Sequence, residues 1–481
     1  MFGFIDLGTL VFVASAVLQI AFVARAILRP HREPAARLAW VVVILVVPVV
    51  GILLYVLFGE VNTGRRHIER MRLAERSMPA LPDPVPEAWP LIPRRHTHIF
   101  RAAQSVNGFP PVSGNRGMLL DSSEAAIDAI VADIDAAREH VHLLMYIWLD
   151  DTSGRRVAQA LMRAAQRGVA CRAMADDFGA RWIRRSHMWP AMREAGVKLA
   201  RVLPIGNLLL HPFQARIDIR DHRKIVVIDN HITYCGSQNL ADAEFRVEAK
   251  FAPWVDVMFR FEGPVALQNQ RIFAGDWMGY TGEDLGALLD RPARPAVEPG
   301  FPAQAINTGP TVRPSAMPEI FGTLMYAARR ELVITTPYYI PDEPMQAAIC
   351  AAARRGVETV LIVPARNNLR IVAAASRSYY GELLRAGVRI HEYVGGLLHA
   401  KTMVVDREAV LTGSANLDRR SFQLNYENSV LFHDPALAGA LRERQDEFMH
   451  RSRLVTQEEV ATWSRSRRIL YNTVAMFGPV L

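Results

Sequence analysis

HRKIVVIDNHITYCGSQN, residues 222–239, and HAKTMVVDREAVLTGSAN, residues 399–416, carry one pattern twice: His-x-Lys, four residues, Asp, six residues, Gly-Ser-x-Asn. The specified positions keep a single offset, because 399 − 222, 401 − 224, 406 − 229, 413 − 236, 414 − 237 and 416 − 239 all equal 177. At a chance of about one in twenty per position, a six-position match arises on the order of once in 10⁸ starts, so the repeat is no accident. Each copy sets a β-prone run before Asp-Asn or Asp-Arg and another after it, which predicts a hairpin with side chains alternating between two faces. His222 and Lys224 then share a face, as do Ser237 and Asn239 on the returning strand. With the turn centred on Asp229 and Asn230, opposed residues sum to 459, so His222 is expected to face Ser237 and His399 to face Ser414. Asp229 and Asp406 belong to the repeated signature with the histidines and lysines, but they fall at the hairpin tips, where a carboxylate holds a turn.

The residue types say what such a site does. Imidazole, ammonium, hydroxyl and amide converge, and a doubled set of this kind suits a phosphodiester. Lys224, Lys401, Asn239 and Asn416 hold the non-bridging oxygens, where charge grows in the transition state. One histidine must be neutral to attack phosphorus and the other protonated to release the leaving alkoxide. A carboxylate behind each ring would orient it, and the candidates are Asp256 in PWVDVMF and Glu427 in NYENSV. Glu427 lies 28 residues after His399, whereas the residue 28 after His222 is Lys250, so Asp256 is the expected partner of the first histidine.

Outward from the motifs, the chain repeats at larger scale. A helical stretch at 125–138, a strand at 141–148, a helix at 157–167 ending at Gly168 and a strand at 169–176 are echoed by 317–330, 332–340, 345–355 ending at Gly356, and 357–365. This alternation predicts an α/β sandwich, doubled as two lobes related by a pseudo-twofold axis, at 111–288 and 315–455. Proline-rich, non-periodic sequence at 78–93 and 289–314 marks the boundaries, giving a linker over 61–110, a second over 289–314 and a tail over 456–481.

The first 60 residues differ in kind. Residues 7–28 are apolar except for Gln19 and Arg25, and residues 38–58 contain no charge, each long enough to cross a bilayer. They predict a two-helix transmembrane hairpin with Pro48 tolerated in mid-span. A cleaved signal peptide fits poorly, since 1–6 has no basic residue and a second apolar span follows. The flanking arginines, at 29, 32 and 37 and at 65, 66, 70 and 72, oppose one another and leave the orientation open. A net charge of +8 favours polyanions, lipid surface and nucleic acid alike. Cys171, Cys235 and Cys350 show neither disulfide nor zinc spacing and read as buried filler, and His31, His67, His96, His98, His142, His231 and His391 fall outside the repeat. Arg181, Arg184 and Arg185, and the mixed basic and apolar tail at 463–481, are expected either to meet lipid headgroups or to be an ordinary solvated face and a packed helix.

On these residues the chain resembles the phospholipase D superfamily, whose mark is H-x-K-x4-D followed by G-S-x-N. The strings YIW (146–148), DHRK (221–224), WVD (254–256), TPYYIPDE (336–343) and NLDRRSFQLNYE (416–427), behind an apolar N-terminal hairpin, are similar to the bacterial cardiolipin synthase branch. The resemblance implies an inner-membrane, multi-pass enzyme that moves a phosphatidyl group from one phosphatidylglycerol to another and releases glycerol. It implies no cofactor, no metal and no nucleic-acid partner. It makes His222 the nucleophile, forming a phosphohistidine, and His399 the acid and base, although the near symmetry of the motifs leaves the two interchangeable on spacing alone. A hydrolase using water as acceptor on the same scaffold is the alternative, and a non-catalytic membrane scaffold is disfavoured because both motifs are complete.

Overall fold

The computed structural model describes residues 7–29, 34–80, 89, 91–206, 215–290, 300–313 and 315–476. His31 and the linker and tail stretches at 81–88, 90, 291–299, 314 and 477–481 lie outside the described residues. The chain forms two compact units, one of residues 1–66 with 205–219 and one of 67–204 with 220–479.

In the first unit Leu7–Leu28 is one unbroken apolar helix, the only one among the described residues long and apolar enough to cross a membrane. The second apolar stretch is not continuous. It divides into Pro34–Val46 and Pro48–Leu54, the latter widening into a π-turn over Tyr55–Gly59. Pro48 has no N–H for the carbonyl of Ile44, and its ring crowds the preceding turn. The side-chain amide of Gln19 donates to that Ile44 oxygen at 2.9 Å, which answers the freed carbonyl. Gly51 permits the close approach at the break, since a Cβ there would stand 2.4 Å from the Val43 oxygen.

The second unit is built on one mixed sheet. Its first half comprises β1 (Val112–Leu119), β2 (His140–Met145), β3 (Ala170–Asp176), β4 (Lys198–Val202), β5 (Lys224–Ile228), β6 (Ile232–Gly236) and β7 (Met258–Glu262). The second half comprises β8 (Phe301–Thr308), β9 (Glu331–Thr335), β10 (Glu358–Pro364), β11 (Arg389–Tyr393), β12 (Thr402–Val405), β13 (Ala409–Gly413), β14 (Asn425–His433) and β15 (Ser452–Val455). The order β1-β7-β6-β5-β2-β3-β4 in the first half is matched by β8-β14-β13-β12-β9-β10-β11 in the second, with β15 at its edge. β2, β3 and β4 run parallel, as do β9, β10 and β11, because helices cross over between them. One such crossover, Thr152–Gln166, begins earlier than the apolar periodicity suggests because Asp151 caps it, accepting from Gly154 N at 2.9 Å.

The halves do not part at the proline-rich stretch. β8 lies inside the expected 289–314 linker and pairs antiparallel with both β1 and β14, closing the two halves into one sheet. Pro302 is accommodated because β1 bulges opposite it, between the pairs Val112↔Ala303 and Asn115↔Phe301. Residues of both halves, among them Ile225, Val227, Phe259, Val333, Val404 and Phe432, share one core. The expected 61–110 linker is likewise structured. It carries the helices Arg65–Ser77 and Thr97–Asn107, and the second buries Ile99, Phe100, Ala103 and Val106 against Ile306, Met317 and Ile320.

The motif hairpins differ from expectation by one residue. Val226 pairs with Tyr234 and Ile228 with Ile232, so opposed residues sum to 460 rather than 459, and Thr402↔Thr412 shows the same shift in the second copy. Three residues, 229–231, make the connection, with Asp229 and Asn230 both at φ 52, a conformation that Asp and Asn tolerate through local hydrogen bonding. The ladder stops at Lys224 and Gly236, so His222 and Ser237 lie beyond it and do not face each other as a cross-strand pair.

Candidate active site

What holds each histidine is a short strand from the other half. Arg220–Asp221 pairs parallel with Asn425–Tyr426, and His222 N donates to Tyr426 O at 2.9 Å. Leu397–Leu398 pairs parallel with Trp254–Val255, and His399 N donates to Val255 O at 2.8 Å. The next residue along each partner strand is a carboxylate, so the orienting acids are exchanged between halves. His222 Nδ1 meets Glu427 at 3.1 and 3.0 Å, and His399 Nδ1 meets Asp256 Oδ1 at 2.6 Å. The expectation that Asp256 backs His222 and Glu427 backs His399 is therefore corrected. The two acids are structural counterparts, and the connection after the first motif is six residues longer, since 256 − 222 is 34 and 427 − 399 is 28.

The serines follow the acids. Ser237 Oγ donates to Asp256 Oδ1 at 2.6 Å and accepts from Val257 N at 3.0 Å, while Ser414 Oγ donates to Glu427 and accepts from Asn428 N at 2.9 Å. Each serine thus supports the histidine of the opposite motif. The glycine before each serine allows strands to close in: a Cβ on Gly236 would stand 2.2 Å from Val257 O, and one on Gly413 2.3 Å from Asn428 O.

Carboxylates only accept, so Nδ1 carries the hydrogen in both rings and Nε2 offers a lone pair. Burial pushes the imidazole of His222 down to about 4 and that of His399 down to about 3, so both are neutral near pH 7. Burial works against the charge on Asp256, but the facing His399, Lys401 and Ser237 outweigh it and hold that carboxyl at about 2. Glu427 is lowered for the same reason, its burial outweighed by His222, Lys224 and Ser414. Lys224 and Lys401 are buried and donate to the carbonyls of His222 and His399 at 2.6 Å each. Desolvation lowers the Lys224 ammonium to about 8 and takes that of Lys401 well below its ordinary value. Neither ammonium is hydrogen-bonded to a carboxylate among the described residues, and an incoming anion would favour the charged form that burial disfavours.

His222, His399, Asn239 and Asn416 line one cleft of about 410 Å³. Asn239 Oδ1 accepts from Ile147 N at 3.2 Å, while the buried Asn416 Oδ1 has no hydrogen-bond partner among the described residues. Asp229 and Asp406 are elsewhere. Asp229 accepts from the backbone of Arg138, Glu139 and His140 at 3.0, 2.8 and 2.9 Å, and Asp406 from that of Arg329, Arg330 and Glu331 at 3.1, 2.7 and 3.0 Å. Both tie a hairpin tip to the loop before a parallel strand, which separates them from the reacting groups with which motif membership grouped them.

Three site residues were not singled out from sequence. Tyr146 lies 4.8 Å from the His222 ring and beneath Lys224, and Trp254 lies 4.7 Å from the His399 ring. Asn425 Nδ2 donates to Glu427 Oε1 at 3.1 Å. Period two along β14 already sets Asn425 on the face of Glu427, a signal that was available. Among the other described histidines, His142 is buried and its Nδ1 meets Gln270 Oε1 at 2.9 Å. All three cysteines are free and buried.

Residues 130–277 and 323–449 match the family described as cardiolipin synthase, PLD-like domain, and residues 17–60 match the phospholipase D-nuclease N-terminal family. The chain is 37% identical over 475 residues to cardiolipin synthase A of Erwinia tasmaniensis, covering 96% of each. It is 35% identical over 477 residues to cardiolipin synthase A of Yersinia pseudotuberculosis, again covering 96% of each. A solved structure of phosphatidylserine synthase from Haemophilus influenzae superposes with a TM-score of 0.56 over 80% of this chain and 100% of that one, at 15% identity, a likeness of fold.

Proposed function

The chain belongs to the cardiolipin synthase family of phospholipase D-like proteins, and on that premise we propose that it joins two phosphatidylglycerols into cardiolipin and glycerol through a phosphohistidine. Nε2 of His222 attacks the phosphorus of the first lipid, the bond from phosphorus to the glycerol headgroup oxygen breaks, and His399 gives that oxygen its proton. His399 then takes the proton from the hydroxyl of a second phosphatidylglycerol, whose oxygen attacks phosphorus and frees His222. The proton for the first step requires a charged His399, and an anionic phosphodiester in the cleft favours the imidazolium that burial disfavours in the empty site. Lys224, Lys401, Asn239 and Asn416 hold the phosphoryl oxygens, and Glu427 and Asp256 orient the rings and stabilise positive charge on them.

The observation that carries this reading is the exchange of carboxylates, which brings two equivalently backed imidazoles to one cleft, as attack and protonation on opposite sides of one phosphorus require. We read the two halves as lobes related by a pseudo-twofold axis, and the apolar N-terminus as a two-span hairpin in the bacterial inner membrane. The bond from Gln19 to the Ile44 carbonyl supports the hairpin, since a carbonyl freed by proline inside a bilayer has no water to turn to.

A lipid-product assay in liposomes containing phosphatidylglycerol tests the proposal, with glycerol and phosphatidic acid both quantified. Cardiolipin and glycerol in equal amounts are expected, abolished in His222→Ala and in His399→Ala. Phosphatidic acid in place of cardiolipin would make the protein a hydrolase, and unchanged variants would end the two-histidine mechanism.

A further inference from the structure

At the mouth of the catalytic cleft the surface changes character. Phe178, Trp182, Val247 and Leu369 line that mouth, yet each remains between 43% and 49% exposed. They come from three separate stretches, the turn after β3 with the short helix Arg181–Arg185, the turn Arg246–Phe251 and the residue before the helix Arg370–Ser378, so no single amphipathic element accounts for them. Ile371, two residues after Leu369, is 55% exposed. Large apolar side chains gathered around one opening are costly in water unless something covers them.

Cations are set among them. The Arg181 guanidinium lies 4.6 Å from the Phe178 ring and 5.0 Å from that of Trp182, while Arg220, 5.2 Å from Phe178, is buried beneath the rim and faces Asp176 at 3.8 Å. Glu248, an acid on the same rim, is engaged by the Asn368 amide at 3.0 Å. Aromatic rings with arginines stacked on them are the side chains that settle at the level of lipid headgroups, ring inward and charge at the phosphates.

We propose that this rim inserts into an anionic bilayer, so that the cleft opens directly onto the headgroup layer and a lipid presents its phosphodiester to the two histidines while its acyl chains stay in the membrane. The inference rests on the lipid substrate proposed above. It assigns the occupant of the rim as an anionic phospholipid bilayer.

The test uses the full-length protein in phosphatidylglycerol vesicles whose acyl chains are brominated near the carbonyl end. The Trp182 contribution is read as the difference in fluorescence between the natural protein and Trp182→Phe, a change that keeps the rim apolar. That difference signal is expected to be blue-shifted and quenched at least twofold by the brominated lipid, and quenched less in otherwise identical phosphatidylcholine vesicles. An unquenched signal at the wavelength of water-exposed tryptophan overturns the proposal, and equal quenching in the two lipids overturns the role given to the arginines. Products are quantified in the same vesicles: cardiolipin formed with Trp182 unquenched sinks the rim alone, whereas quenching without cardiolipin leaves the rim and sinks the proposed reaction.

Discussion

Replacing Glu427 by Gln tests the exchanged carboxylates, because it preserves shape and removes charge. Glu427 accepts from His222 Nδ1, from Asn425 Nδ2 and from the Ser414 hydroxyl. An amide in its place turns an NH₂ toward one of these donors, so a buried hydrogen bond is lost in either orientation. The negative charge that faces the developing positive charge on His222 is lost as well. A charge-assisted hydrogen bond contributes about 1.5–3 kcal/mol and an unmet buried donor costs about 1 kcal/mol or more. Together they predict a barrier raised by about 2–4 kcal/mol, a slowing of about 30- to 1000-fold. The assay is a pre-steady-state burst with a phosphatidyl ester of p-nitrophenol, whose leaving group departs without an acid, followed by mapping of the phosphorylated histidine. Glu427→Gln should slow the burst by that factor, and Asp256→Asn, which removes the charge behind His399 and the acceptor of Ser237 but makes no contact with His222, should leave it within about threefold. A phosphoryl group mapped to His222 whose formation depends on Asp256 and not on Glu427 would refute the exchange.

With the p-nitrophenyl ester, whose leaving group needs no proton from His399, kcat/KM reports the free enzyme and should fall as pH drops through about 4, where His222 protonates, and as pH rises through about 8, where Lys224 loses its cation; a profile flat to pH 10 would exclude Lys224 as an anion-holding group. Because the folded pKa of His222 lies below the ordinary 6.5, the unfolded chain binds an extra proton between about pH 6.5 and 4; stability should fall with falling pH across that window, and more gently in His222→Asn by chemical denaturation. Asp229→Asn and Asp406→Asn should each lower stability by about 1–3 kcal/mol in a denaturant titration while the folded fraction keeps its KM. Gly413→Ala should disrupt the β13–β14 contact at a cost of about 1–3 kcal/mol or more, visible as a lowered Tm and lost activity, since the obstruction includes the backbone of Asn428 and Ser429, which cannot swing aside.

Much of this protein is local, and local order is what a sequence displays. The two motifs, the hairpins they form, the alternating elements and the apolar N-terminus all depend on neighbours a few residues apart, so spacing and periodicity were enough to read them. The tips were legible for the same reason: Asp229 and Asp406 hold loops through backbone amides, as their place in a turn suggests. Where a short-range rule met one extra residue, the reading slipped, as in the three-residue connection at 229–231 that moved the register from 459 to 460. The proline-rich stretch at 289–314 read as a spacer because proline is a poor ladder member, and only a bulge in a strand some 190 residues earlier gives Pro302 its place in the sheet.

The pairing of acids with histidines was beyond any such rule. Glu427 and Asp256 were identifiable as candidates, but their assignment depends on Arg220–Asp221 lying beside Asn425–Tyr426 and Leu397–Leu398 beside Trp254–Val255. Those contacts bridge 205 positions between His222 and Glu427 and 143 between Asp256 and His399. Sequence by itself determined which groups the protein holds and in what doubled order. Tertiary structure decided which group serves which, because a hydrogen-bonded pair in a buried site is set by the approach of strands from opposite halves of one sheet, and the chain between them carries no trace of that distance.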